Sequence, residues 1–141
     1  MSVPDLEILS EMPASARKVN PLLFVHGAWH AAWCWQEYFL PYFAAQGYEC
    51  HAVSLRGHGG SDCHSRLRWH RAQDFVLDIA HVANQMATPP IVIGHSMGGY
   101  LVQKYLESYK APAGILLASV PSHGVWRVSL KSLRRFPLPF M

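Results

Sequence analysis

The sequence has 141 residues, 50% hydrophobic and 15% charged, with a formal net charge of +3. That length and composition give one globular domain with a core, burying about two-thirds of its unfolded surface. Basic residues are not interleaved with aromatics along one segment, which argues against a nucleic-acid partner, and no run of 18 apolar residues offers a membrane span.

Residues 1–20 are weakly patterned, with Leu6-Glu7-Ile8-Leu9 as a possible short strand and Pro13 to Asn20 as a loop. Leu22 to His26 is a continuous apolar run bounded by Pro21 and Gly27, the pattern of a strand buried on both faces of a parallel sheet. After the Gly27-Ala28-Trp29-His30 loop, Trp33, Tyr38, Leu40, Phe43 and Ala44 fall at near-helical spacing, with Gly47 as the C-terminal stop. Tyr48 to Leu55 alternates as a second strand. The loop Arg56-Gly57-His58-Gly59-Gly60-Ser61-Asp62 follows, and Cys63 to Arg71 is polar without a clear period.

Asp74 to Met86 reads as an amphipathic helix with Phe75, Ile79, Val82 and Met86 inward. Ile91 to Ile93 is the third strand, Gly98 to Tyr109 a helix, and Ile115 to Ala118 a fourth strand. Alternating β-α-β units with apolar strands predict an α/β fold with a mainly parallel sheet and flanking helices. The organisation read from this pattern is an N-terminal segment over 1–20, a core over 21–120, and a further segment over 121–141.

The chemistry concentrates at Gly94-His95-Ser96-Met97-Gly98. A Gly-x-Ser-x-Gly motif between a strand and a helix is the context of a nucleophile elbow. Such a turn strains the serine backbone and exposes its hydroxyl at the top of a sheet. Gly94 and Gly98 flank it because side chains there would collide with neighbouring elements. The helix that begins here turns its positive end toward the site. His26 and Gly27 lead into a loop on the same sheet edge, the edge where open α/β sheets bind ligands. Backbone N–H groups of that loop and of Met97 are candidates for an oxyanion hole. Asp74 and Asp78, one turn apart, read as a solvated helix face. His58, His64 and His70 with Asp62 fit no closed metal spacing. Cys34, Cys50 and Cys63 form no C-x-x-C pair, so neither a metal nor another cofactor is expected. Their odd count, with no basic and then apolar leader at the N-terminus, predicts reduced thiols in a cytoplasm.

Three motifs together resemble the N-terminal half of an α/β-hydrolase: Phe24-Val25-His26-Gly27-Ala28-Trp29, Arg56-Gly57-His58-Gly59-Gly60-Ser61, and Gly94-His95-Ser96-Met97-Gly98-Gly99. The stretch from His26 to Trp35 is similar to the branch of small esterases and hydroxynitrile lyases. The resemblance implies Ser96 as nucleophile and the backbone of Ala28 and Met97 as the oxyanion hole. His26, Gly27, Gly94, His95 and Gly98 then act as supporting motif residues. His95 is not the triad base in that family. A serine at position 96 disfavours the epoxide hydrolase branch, which carries aspartate there. The implied substrate is a small ester or related acyl compound, attacked through an acyl-serine intermediate. The resemblance also makes residues 121–141 the start of a cap over the substrate, with Val125 to Met141 as an amphipathic piece of it.

A serine nucleophile needs a base and an orienting carboxylate, and in this fold both follow the serine in the chain. After Ser96 the sequence holds no aspartate, one glutamate (Glu107) and one histidine (His123). Glu107 lies eleven positions along the helix, roughly 16 Å away at about 1.5 Å per residue. The expectation is therefore a truncated member lacking acid and base. Its last strand is an open apolar edge suited to self-association or to a complementing chain. The alternative is a catalytically inactive fragment, or half of a split enzyme, acting as an association module.

Overall fold

The computed structural model describes residues 4–15, 17–123, 130, 131, 134 and 135. One sheet carries five strands, β1 (Ile8–Glu11), β2 (Leu22–Val25), β3 (Cys50–Val53), β4 (Ile91–His95) and β5 (Gly114–Leu117), in the order β1-β3-β2-β4-β5. Strands β2 to β5 run parallel, and β1 pairs with β3 antiparallel. The N-terminal segment thus contributes an edge strand to the same sheet.

The helices are α1 (Trp33–Gln36), α2 (Phe39–Ala45), α3 (Ala72–Asn84) and α4 (Met97–Ser108), with a 3₁₀ turn over His64–Trp69. The period-2 alternation of the strands splits the core between two faces. Leu23, Val25 and Val53 pack against Phe75, Ile79, Leu101 and Val102 of α3 and α4. Leu22, Phe24, Ala52 and Ile93 pack against Trp35 and Leu40 of α1 and α2. All four residues of β2 are buried, as its unbroken apolar run predicts for a central parallel strand.

The single helix expected from Trp33 to Ala44 is two. Pro41 falls in the first turn of α2, where a missing N–H has no intrahelical acceptor to lose. In one continuous helix its ring would clash with the Glu37 carbonyl. Gly47 ends α2 with φ 92° and an N–H bond to the Ala44 carbonyl at 2.9 Å. β1 starts at Ile8 instead of Leu6, because Glu7 is drawn to the loop after β3. Its N–H donates to Ser61 Oγ at 2.9 Å, its carbonyl accepts from Ser54 N–H at 2.9 Å, and its carboxylate accepts from Ser54 Oγ. The polar stretch after Cys63 winds into the 3₁₀ turn.

The largest departure is on α3. Asp74 and Asp78 do not form a solvated face. Asp78 is 0% exposed and receives Arg56 N–H and Nε–H, both at 3.0 Å, while Arg56 Nη2 closes the fork. Asp74 accepts the Arg71 N–H at 2.8 Å and caps the first turn. Asp78 falls in the buried stripe with Phe75, Ile79 and Val82, so its position on the helix signals burial even though its charge suggests solvent.

β5 is the other sheet edge. Ile115 and Leu116 are 43% and 44% exposed on it. The cap reading over 121–141 lies outside the described residues from 124 onward, apart from 130, 131, 134 and 135.

Candidate active site

β4 delivers Ser96 to the carboxyl edge of the sheet, and α4 begins at the next residue. Ser96 has φ 53° and ψ −115°, a conformation that L residues rarely adopt and that costs of order 1–3 kcal/mol. Its backbone is held on both sides. The N–H donates to Leu117 O at 3.0 Å, and the carbonyl accepts Val120 N–H at 3.0 Å and Tyr100 N–H at 3.2 Å. Neighbouring atoms leave no room for side chains beside it. A Cβ on Gly98 would lie 2.6 Å from His26 O and closer still to Val25 O, and one on Gly94 would lie 2.6 Å from Gly99 N. These two glycines let β4, α4 and the end of β2 approach backbone to backbone.

The loop after β2 reaches the same place. The Cβ position of Gly27 lies 3.2 Å from Ser96 Cβ and 3.1 Å from His95 Nδ1. Ala28 follows, half-buried, and its N–H donates to no group among the described residues. Met97 is the first residue of α4, where the N–H has no intrahelical acceptor. The expected pair of backbone donors and Ser96 are therefore brought to one edge. Trp29, with φ 67° and 94% exposure, forms the outer lip of this loop.

His26 supports the edge from below. It is 0% exposed, its Nε2 accepts Leu55 N–H at 3.0 Å, and its Nδ1–H donates to Gly27 O at 2.7 Å. That pattern fixes a neutral ring. Burial pushes its pKa down from 6.5 to about 4, against the opposing pull of the Gly27 carbonyl. His26 ties the ends of β2 and β3 together and is not aimed at Ser96.

Three further groups position the edge. Ser54, buried after β3, accepts Ala32 N–H at 2.9 Å and donates to Glu7, whose carboxyl is held below its ordinary range chiefly by that bond. Arg56 is kept charged by its bonds to Asp78. Gln103 Nε2 donates to Ser119 Oγ at 2.8 Å and to Val120 O at 2.9 Å, pinning the segment that follows β5 onto α4. Gln103 and Ser54 carried no sequence signal, because their partners lie 16 or more residues away.

A cleft of about 250 Å³ opens beside the elbow, lined by His30, Cys34, Trp35, Phe39, His95 and Leu117. It is mostly apolar and aromatic, as small-molecule sites are. Burial raises the Cys34 thiol to about 11, so it stays protonated there. Among the described residues no side chain hydrogen-bonds Ser96 Oγ. Glu107 pairs with Lys104 at 2.8 Å on the exposed face of α4, and His123 is exposed. Neither the cleft nor the rest of the described residues holds a group of three His, Cys, Asp or Glu side chains able to bind a metal. No described helix is long and apolar enough to cross a membrane.

A mainly parallel sheet flanked by helices, with a strained serine at its carboxyl edge, defines an α/β protein of the serine-elbow type. The chain belongs to the alpha/beta hydrolase family, whose profile matches residues 22–141. It is 31% identical over 113 residues to norfluorocurarine synthase 1 of Strychnos nux-vomica, covering 75% of this chain and 41% of that protein. It is 33% identical over 98 residues to epoxide hydrolase 3 of Xenopus tropicalis, covering 69% of this chain and 26% of that one. Among solved structures, the thioesterase domain from the curacin biosynthetic pathway superposes with a TM-score of 0.71 at 28% identity, covering 83% of this chain and 41% of that chain. The chain thus spans less than half the length of each of these relatives.

Proposed function

We propose that this chain carries the nucleophile and oxyanion half of a serine hydrolase acting on a small ester or related acyl substrate. Ser96 attacks the carbonyl, the N–H groups of Ala28 and Met97 receive the oxyanion, and the aromatic cleft beside His95 seats the substrate. The attack breaks the ester bond, releases the alcohol and leaves an acyl-serine for water to hydrolyse. The observation that carries this reading is the strained Ser96 backbone at the β4–α4 turn, with the Gly27 loop packed against it. Strain of this kind persists where surrounding structure holds it for a purpose.

The base and acid come from polypeptide outside these 141 residues, since Glu107 and His123 are the only candidates after Ser96. The test is labelling of the source cell with a fluorophosphonate, followed by mapping of the adduct. The expected product is a species well above 15.9 kDa modified at Ser96. A labelled Ser96 in a species of 15.9 kDa overturns the divided site.

A second reading rests on the β5 edge. Its exposed Ile115 and Leu116 and its unpaired backbone groups suit strand addition, by another copy or by a complementing chain. The isolated chain then associates in solution, and Ile115→Lys weakens that association. A clean monomer in size-exclusion chromatography contradicts this reading.

A further inference from the structure

A cleft larger than the one beside the elbow lies elsewhere among the described residues. A cavity of about 510 Å³ lies toward the opposite end of the sheet, between β1, the start of β3 and the end of α3. Ile8, Val82 and Met86 supply its apolar wall, and Arg17 supplies a cation. A second serine faces it. Ser10 sits directly across from His51 in the β1–β3 pairing, and its Oγ lies 2.7 Å from His51 Nδ1. His51 Nε2 lies 2.9 Å from Glu49 Oε1, and Glu49 Oε2 is held by Arg17 Nη1 at 3.3 Å.

The proton positions follow from the partners. An ionised carboxylate only accepts, so Nε2 carries the ring proton. Nδ1 is then the acceptor, and Ser10 O–H donates to it. One neutral tautomer satisfies both bonds, and it is the tautomer in which imidazole can take the serine proton while the carboxylate stabilises the resulting cation. Hydroxyl, imidazole and carboxylate stand in the order that defines a nucleophile, its base and an orienting group, which is recognised by geometry and not by chain position. Among the described residues, Ser96 has no such relay.

We propose that Ser10, His51 and Glu49 form a second, independent nucleophilic site, selective for small activated acyl or phosphonyl compounds whose apolar part fits against Ile8, Val82 and Met86. Ser10 Oγ attacks the acyl carbon or the phosphorus, and its proton passes to His51 Nδ1. The bond to the leaving group breaks, and phenolate or fluoride departs. The proton then passes to the leaving group or to water. Arg17, with four of its five N–H donors uncommitted to Glu49, lines the same cavity as a cation for the developing oxyanion.

The test uses the full 141-residue chain carrying Ser96→Ala, so that no adduct arises at the elbow. It is treated with a fluorophosphonate, digested, and the modified residue mapped by mass spectrometry. The expected result is an adduct on Ser10 whose rate falls about 10²-fold with His51→Gln, the scale of a lost general base. Glu49→Gln lowers it by a smaller factor. Ser10 is exposed, so Ser10→Ala serves as a folded control that abolishes the adduct. An unmodified Ser10, or labelling of Ser10 at the same rate in the His51→Gln chain, overturns the proposal.

Discussion

Under the readings proposed above, the two ends of the sheet hold complementary halves of one chemistry. At the carboxyl end Ser96 has the strained turn, the helix terminus and the neighbouring backbone N–H groups, but no side-chain base bonded to it among the described residues. At the other end Ser10 has an imidazole and a carboxylate in hydrogen-bond contact, but sits in a relaxed strand with no backbone donors arranged around it. The difference is also one of construction. The elbow end rests on buried polar groups, His26, Ser54, and Arg56 with Asp78, which lock the loops after β2 and β3. The Ser10 relay rests on partly exposed side chains. Strain needs a rigid support, whereas a relay of three polar side chains needs only strand register.

The sharpest test of that contrast is removal of the carboxylate at each end. Asp78→Ala leaves the buried Arg56 guanidinium with Asp74 alone, at 4.0 Å, in place of its hydrogen-bonded partner, and a loss of about 3 kcal/mol is expected. Glu49→Ala removes a partly exposed carboxylate from His51 and from Arg17, the latter 64% exposed, and a change of about 1 kcal/mol is expected. Denaturant midpoints of the two variants check this, and equal losses would break the comparison.

The next effect is in pH. The folded chain holds His26 neutral down to about 4, while the unfolded chain protonates it near 6.5. The unfolded state therefore binds the extra proton between these values. Stability is fully present above pH 6.5 and is lost as pH falls toward 4, by roughly 3 kcal/mol. Glu7, held low by Ser54 and Gly60, adds its loss only below its ordinary 4.5. Urea midpoints at pH 7 and 4.5 isolate His26, and His26→Gln flattens the slope.

The smallest effect is the most specific, because it has opposite signs at the two serines. Ser96→Gly relieves the positive-φ strain and stabilises the chain by about 1 kcal/mol. Ser10→Gly, in an ordinary strand, destabilises it by about 0.5–1 kcal/mol. Stabilisation at both positions, or at neither, contradicts the assignment of strain to Ser96 and not to Ser10.

Much of the elbow end was legible in the sequence, because its determinants are local. Glycines at 94 and 98, β-branched residues before them and a helical period after them report the turn directly. The central strands announce themselves by unbroken apolar runs. What escaped depends on distant partners. Asp78 is buried because Arg56 lies beside it in space, 22 positions away in the chain. The Ser10–His51 contact needs the register of β1 against β3, and a two-residue error in the start of β1 hides it. The break between α1 and α2 follows from Pro41, whose ring overrides the continuous apolar spacing.

The proposed function makes Ser96 a nucleophile without a bonded base among the described residues. The direct measurement is the rate of fluorophosphonate modification at Ser96 in the purified 141-residue protein, mapped by peptide and compared with the Ser96→Ala chain. Trace modification at Ser96 is the predicted result. Fast, stoichiometric modification at Ser96, abolished by Ser96→Ala, would show that a base is present among these residues and would contradict the account.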